Sequence, residues 1–202
     1  MESRHGGSGA TQLSFGVSLS GPINYTWTTV PAGTSGSGTV TDTIALITGL
    51  PGGTTIELSI LPTNFQRIKI NNGSNKGRLT AIQQWGDVAW TSMERAFYGC
   101  NNLVAINATD VPNWTVVTNM SYMFASCGTF NQALPTSFNT AAVTNMSYMF
   151  QNCYLYNQAL PSSFNTAAVT NMSYMFQNCF GCFQKTVARL TRQEQAFIPS
   201  IL

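Results

Sequence analysis

The chain has 202 residues, of which 44% are hydrophobic and only 8% charged, with a formal net charge of +2. This composition supports one or two domains with real cores and excludes wholesale disorder, since typical soluble chains carry roughly 25% charged residues and comparable apolar content. No basic run offers an electrostatic footprint for nucleic acid, and no apolar stretch approaches the roughly 20 residues that insertion into a membrane demands.

In chain order, residues 1–10 (Met-Glu-Ser-Arg-His-Gly-Gly-Ser-Gly-Ala) lack the apolar core of a signal peptide and read as a flexible leader. Residues 11–65 alternate with period two. Leu13, Phe15, Val17 and Leu19 form one such series, Tyr25 with Trp27 a second, and Ile56, Leu58 and Ile60 a third. Gly21-Pro22, Pro31-Ala-Gly33, Gly36-Ser-Gly38 and Pro51-Gly-Gly53 read as turns between the strands. Together they predict a small antiparallel β-sandwich. The segment from Thr48 to Leu58 resembles the corner of fibronectin-type and immunoglobulin-like domains.

Residues 66–182 are expected to form the second domain, with a tandem repeat running from about residue 90 to its end. Val117-Thr-Asn-Met-Ser-Tyr-Met-Phe124 returns at Val143–Phe150 and Val169–Phe176, 26 residues apart each time. A diverged copy places Met93, Phe97 and Cys100 27 residues before Met120, Phe124 and Cys127. Units this short cannot bury a core alone and must stack on one another. Met146, Met149, Phe150 and Cys153 fall at i, i+3, i+4 and i+7, which predicts one face of a short helix capped by Thr144 or Asn145. Tyr156–Leu160 reads as a short strand ended by Pro161, so that rungs would stack into a parallel sheet about 5 Å apart. The expected fold is therefore an α+β repeat: the β-sandwich, then a leucine-rich-repeat-like solenoid with a helix and a strand per rung. The core ladder would consist of Met120, Met146 and Met172, of Phe124, Phe150 and Phe176, and of Cys127, Cys153 and Cys179.

The entry Trp85-Gly-Asp-Val-Ala-Trp90, the Met-x-x-x-Phe-x-x-Cys unit that follows and the Val-Thr-Asn-Met-Ser-Tyr-Met-Phe units resemble the BspA-like leucine-rich repeats. These abound in Mycoplasma surface lipoproteins and other bacterial surface proteins. The resemblance implies an extracellular or cell-surface location and a role in adhesion or host contact, with no assigned chemistry. The repeat breaks down after Cys182, and residues 183–202 read equally as a capping helix or as a truncated tail.

The inventory for catalysis is poor. His5 is the single histidine and sits in the leader, so no Ser-His or Cys-His pair can form within the repeats. The seven acids are scattered, with Asp87 and Glu94 closest together in the array, where a carboxylate pair would define a carbohydrate-active enzyme. Cys100, Cys127, Cys153 and Cys179 share one repeat position. They read as buried thiols rather than disulfides or metal ligands, and Cys179-Phe-Gly-Cys182 as core rather than a redox pair. No cofactor or metal is expected.

Two stripes remain as candidate binding surfaces. Tyr122, Tyr148 and Tyr174 either face a sugar or protein ligand or fill grooves between rungs. Asn131, Gln132, Asn157 and Gln158 either form a recognition face or an amide ladder that ties the stack together. The sequons at Asn119, Asn145 and Asn171 lie inside the motif and read as stacking residues. The expected function is a non-enzymatic recognition or adhesion module that binds protein or glycan on another surface. The alternative is a spacer or self-assembling fibre element, because Val111 to Gln184 carries no formal charge to oppose self-association.

Overall fold

A computed structural model describes residues 1–6 and 11–182. The expected cap or tail, 183–202, lies outside the described residues. Among the described residues nine strands follow in order: β1 Glu2–His5, β2 Leu13–Leu19, β3 Ile23–Val30, β4 Ser35–Val40, β5 Ile44–Ile47, β6 Thr55–Ile60, β7 Phe65–Lys69, β8 Leu79–Gln84 and β9 Ala105–Ile106. They form a six-stranded sheet, β4-β3-β6-β1-β8-β9, and a three-stranded sheet, β5-β2-β7. The alternating residues bury one face of each: Phe15 and Val17 on β2, Tyr25 and Trp27 on β3, and Ile56, Leu58 and Ile60 on β6 belong to one continuous core.

Three local expectations fail here. The leader is not free: β1 lies between β6 and β8, paired antiparallel to both. His5 is buried, its Nε2 is 3.0 Å from Ser3 Oγ, and burial together with the Arg78 charge pushes its pKa down to about 3. The imidazole therefore stays neutral. Gly36 and Gly38 are strand residues rather than a turn. They lie opposite Trp27 and Tyr25 in the β3–β4 register, and a Cβ at either would come within 2.7 Å of the Trp27 ring or 2.4 Å of the Tyr25 hydroxyl. Glycine here makes room for the neighbouring rings, which then cover bare backbone. The expected boundary near residue 65 also falls at the start of β7, and β8 and β9 extend the larger sheet beyond it.

The helix-and-strand rung is absent. The described residues hold two β-sheets, one short 3-10 turn at Lys76–Arg78 and no α-helix, so the α+β leucine-rich-repeat solenoid is not the fold adopted. Each repeat is instead a ribbon of tight turns. Met123, Ala125 and Cys127 donate their N–H to the carbonyls of Met120, Tyr122 and Phe124, three residues back. The alternate residues Met120, Tyr122, Phe124 and Ser126 donate to Asn145, Ser147, Met149 and Gln151 of the next unit at 2.7–3.0 Å. Met146, Tyr148, Phe150 and Asn152 repeat this toward Asn171, Ser173, Met175 and Gln177.

An α-helix would send these amides four residues back. The chain prevents it by placing Tyr122, Ser126, Tyr148 and Asn152 at φ of 56–59°, outside the right-handed helical region. The expected strand at Tyr156–Leu160 is also missing. Parallel bridges occur instead at Asn119, Asn145 and Asn171. Each of these asparagines accepts the N–H of the serine two residues on, at Ser121, Ser147 and Ser173, an Asx turn that opens the ribbon.

The turn ribbon points Met, Met, Phe and Cys inward in the same order a helix would, which is why the spacing misled. Phe97, Phe124, Phe150 and Phe176 stack at 5.6 Å from ring to ring. The first unit docks on the chain just after β7, where Ile70, Asn71 and Asn72 donate to Ala96, Arg95 and Tyr98 carbonyls and Arg67 donates to that of Glu94. Trp85 joins the two parts by packing on Trp90 and Trp114.

Phe150 is fully buried between Phe124 and Phe176. Phe150→Ala is expected to cost about 3–5 kcal/mol in urea-induced unfolding. A loss under about 1 kcal/mol would contradict the stacked core.

Candidate recognition surface

The left-handed tyrosines define the first candidate stripe. Tyr122 and Tyr148 stack at 4.5 Å and 9°, and Tyr148 and Tyr174 at 5.0 Å and 19°. Arg95, which occupies the tyrosine's place in the diverged unit, lies 5.0 Å over the Tyr122 ring. Burial, then the neighbouring Tyr148, raises the Tyr122 pKa against the opposing pull of Arg95. The ring faces of Tyr122 and Tyr148 are spent on neighbouring rings and on a cation, as favourable contacts between aromatic and guanidinium groups. A ligand meeting the rungs from the side would find ring edges and hydroxyls, not open faces.

The amide stripe is likewise engaged within the stack. Asn131 Oδ1 accepts from the Asn157 amide at 2.8 Å and from Gln158 Nε2 at 3.0 Å. Gln132 pairs with β9 as a strand would, donating to the Ile106 carbonyl at 3.0 Å and accepting the Ile106 N–H. These contacts tie one rung to the next.

A third stripe was missed. Tyr154, Leu155 and Phe180 are 49%, 57% and 71% exposed, and the Tyr154 and Phe180 rings stack at 6.0 Å. The sequence carried a signal for it. Units that otherwise repeat closely change from Gly128-Thr129 to Tyr154-Leu155 and Phe180-Gly181 at this position. This is the place where the side chain changes from rung to rung in a nearly invariant repeat.

The core ladder occupies the interior: Met120, Met146, Phe124, Phe150, Cys127 and Cys153 are fully buried, and Met172, Phe176 and Cys179 are at most 4% exposed. The Cys127 and Cys153 thiols donate to the carbonyls of Phe97 and Phe124 at 3.1 and 2.9 Å. Burial pushes the Cys153 thiol up to about 12 and those of Cys100 and Cys127 well above their usual range, so all three stay protonated. Cys179 and Cys182 form a disulfide, which corrects the expectation of five free thiols. Cys182 stands where the preceding units have Phe130 and Tyr156, and a cysteine at that place reaches back to the ladder cysteine three residues before it.

Glu94 and Asp110 hold structural contacts. Arg67 holds Glu94 at 2.7 Å. Burial would raise the Glu94 pKa, but the hydrogen bond and charge of Arg67, with Lys69 and Arg95, outweigh it and lower it. Asp110 accepts the amides of Trp85 and Gly86 at 3.0 and 2.6 Å, closing the turn at the entry to the array. Among the described residues no group of three or more His, Cys, Asp or Glu side chains could hold a metal ion, and no helix is long and apolar enough to cross a membrane.

The described residues thus form a β module docked on stacked turn repeats. The chain belongs to the family described as Mycoplasma protein of unknown function, DUF285, which matches residues 68–192. No curated protein and no solved structure matches it.

The cysteine arrangement is open to direct count. Thiol titration of the unfolded, unreduced chain should find three free thiols, rising to five after reduction. Five without reductant would remove the Cys179–Cys182 bond.

Proposed function

We propose that the chain is a non-catalytic recognition module, displayed outside the cell or on its surface, that binds a protein or glycan through the face bearing Tyr154, Leu155 and Phe180. The observation that carries this reading is an exposed aromatic stripe on an array without formal charge from Val111 to Gln184. Aromatic side chains combine apolar area with low entropy cost and dominate the energetics of protein interfaces. Without ion pairs at the contact, added salt has little to screen. A second reading, a spacer or self-assembling element, rests on the near identity of the two central units, which begin at Val117 and Val143.

Immobilised neutral glycans and extracellular-matrix proteins, screened against the folded chain, test the proposal. Tyr154→Ser with Phe180→Ser should weaken the bound partner at least about tenfold at an unchanged melting temperature, because truncating interface aromatics commonly costs 2 kcal/mol or more. Unaltered binding by the double variant would reject this face. Concentration-dependent sedimentation of the chain alone, abolished by the same pair of substitutions, would favour self-assembly instead.

A further inference from the structure

The outer face of the three-stranded sheet carries a cavity of about 500 Å³ that lies apart from the aromatic stripe. Central β2 turns Phe15 and Val17 into the core and leaves Ser14, Gly16 and Ser18 outward. The register sets Gly16 between Ile44 of β5 and Lys69 of β7, and Ser18 beside Arg67. The floor therefore has no side chain beyond a hydroxymethyl group. One wall is apolar, formed by Ile44, which is 57% exposed. The other wall is cationic.

The two cations differ. Arg67 is committed to Glu94 through both its carboxylate and its backbone carbonyl. Lys69 makes no ion pair among the described residues, since those found there are Arg4–Glu57, Arg67–Glu94 and Arg95–Glu94. Asp42, next to the cavity's Thr43, accepts from the Thr43 amide and hydroxyl at 2.6 and 3.2 Å. Thr43, Ser74 and Asn71 complete a rim of neutral hydrogen-bonding groups.

We propose that this cavity binds a small acidic saccharide, with Lys69 on its carboxylate, the Ser14, Ser18 and Thr43 hydroxyls on its ring hydroxyls, and Ile44 against its apolar face. The volume suits a one- or two-sugar ligand, since small-molecule sites run roughly 300–1,000 Å³. Lys69, which acts on Glu94 only through space and makes no ion pair among the described residues, fits one carboxylate. It is too little for an anionic membrane, which is read by clusters of about four to eight basic residues, and too little for a nucleic-acid backbone.

The test is amide chemical-shift mapping on the full chain with free glucuronic acid and N-acetylneuraminic acid, each at millimolar concentration, and with glucose as the neutral control. Saturable shifts centred on Ser14, Gly16 and Ser18 are expected from at least one acid and none from glucose. Lys69→Gln should weaken that binding at least about tenfold, the size of effect that losing a charged hydrogen bond produces. Ile44→Glu, on the exposed wall, should abolish it while the remaining spectrum is retained. Absence of saturable shifts, shifts centred elsewhere, equal response to glucose, or a tetraglutamate peptide binding where both sugar acids fail would each overturn the proposal.

Discussion

The array depends on how alternate backbone amides choose their partners. In each unit one set of N–H groups closes tight turns within the ribbon, and the intervening set points along the stack to the next unit's carbonyls. A unit in isolation would leave that second set to water and would lose the packing of its Met, Phe and Cys side chains. Neighbouring repeats therefore supply both the hydrogen bonds and the core, as expected when each repeat contacts only its neighbours.

The left-handed residues make this possible at a cost. A non-glycine residue in that region loses roughly 1–2 kcal/mol, and here tyrosine occupies it at 122, 148 and 174. Stacking across rungs offsets the strain, and the half-buried rings seal the groove between units. Where the rung meets the β module, Arg95 takes the tyrosine's place and covers the ring of Tyr122. The β module in turn supplies the donors that the first unit requires, through Ile70, Asn71 and Asn72. One end of the stack is thus satisfied by a different kind of structure, without interrupting the ladder.

Much of this was legible in residues, though not in the form they suggested. Period-two alternation located β2, β3 and β6, because a half-buried strand imposes that pattern directly. It could not locate β1, whose Ser3 and His5 are polar yet buried, or β4, whose glycines are explained only by the rings of Trp27 and Tyr25 on the next strand. In the array, the spacing of Met146, Met149, Phe150 and Cys153 fixed which side chains share an interior but not the backbone that carries them. Both a helix and a ribbon of turns closed every three residues present that order. The distinguishing feature is a positive φ at Tyr148 and Asn152, and nothing in a tyrosine announces it. The candidate stripes show the same division: repetition marked Tyr148 and Asn157, which serve the stack, while exposure fell on Tyr154 and Phe180, where the repeat departs from itself.

The central claim is that the amides of Tyr148 and Phe150 bond to the next rung. Scalar coupling across hydrogen bonds in an isotopically labelled chain reports the acceptor of each amide directly. The account predicts coupling from Tyr148 nitrogen to the Ser173 carbonyl carbon and from Phe150 nitrogen to that of Met175. Coupling instead to Thr144 and Met146, four residues back, would restore the helix and contradict the turn ladder.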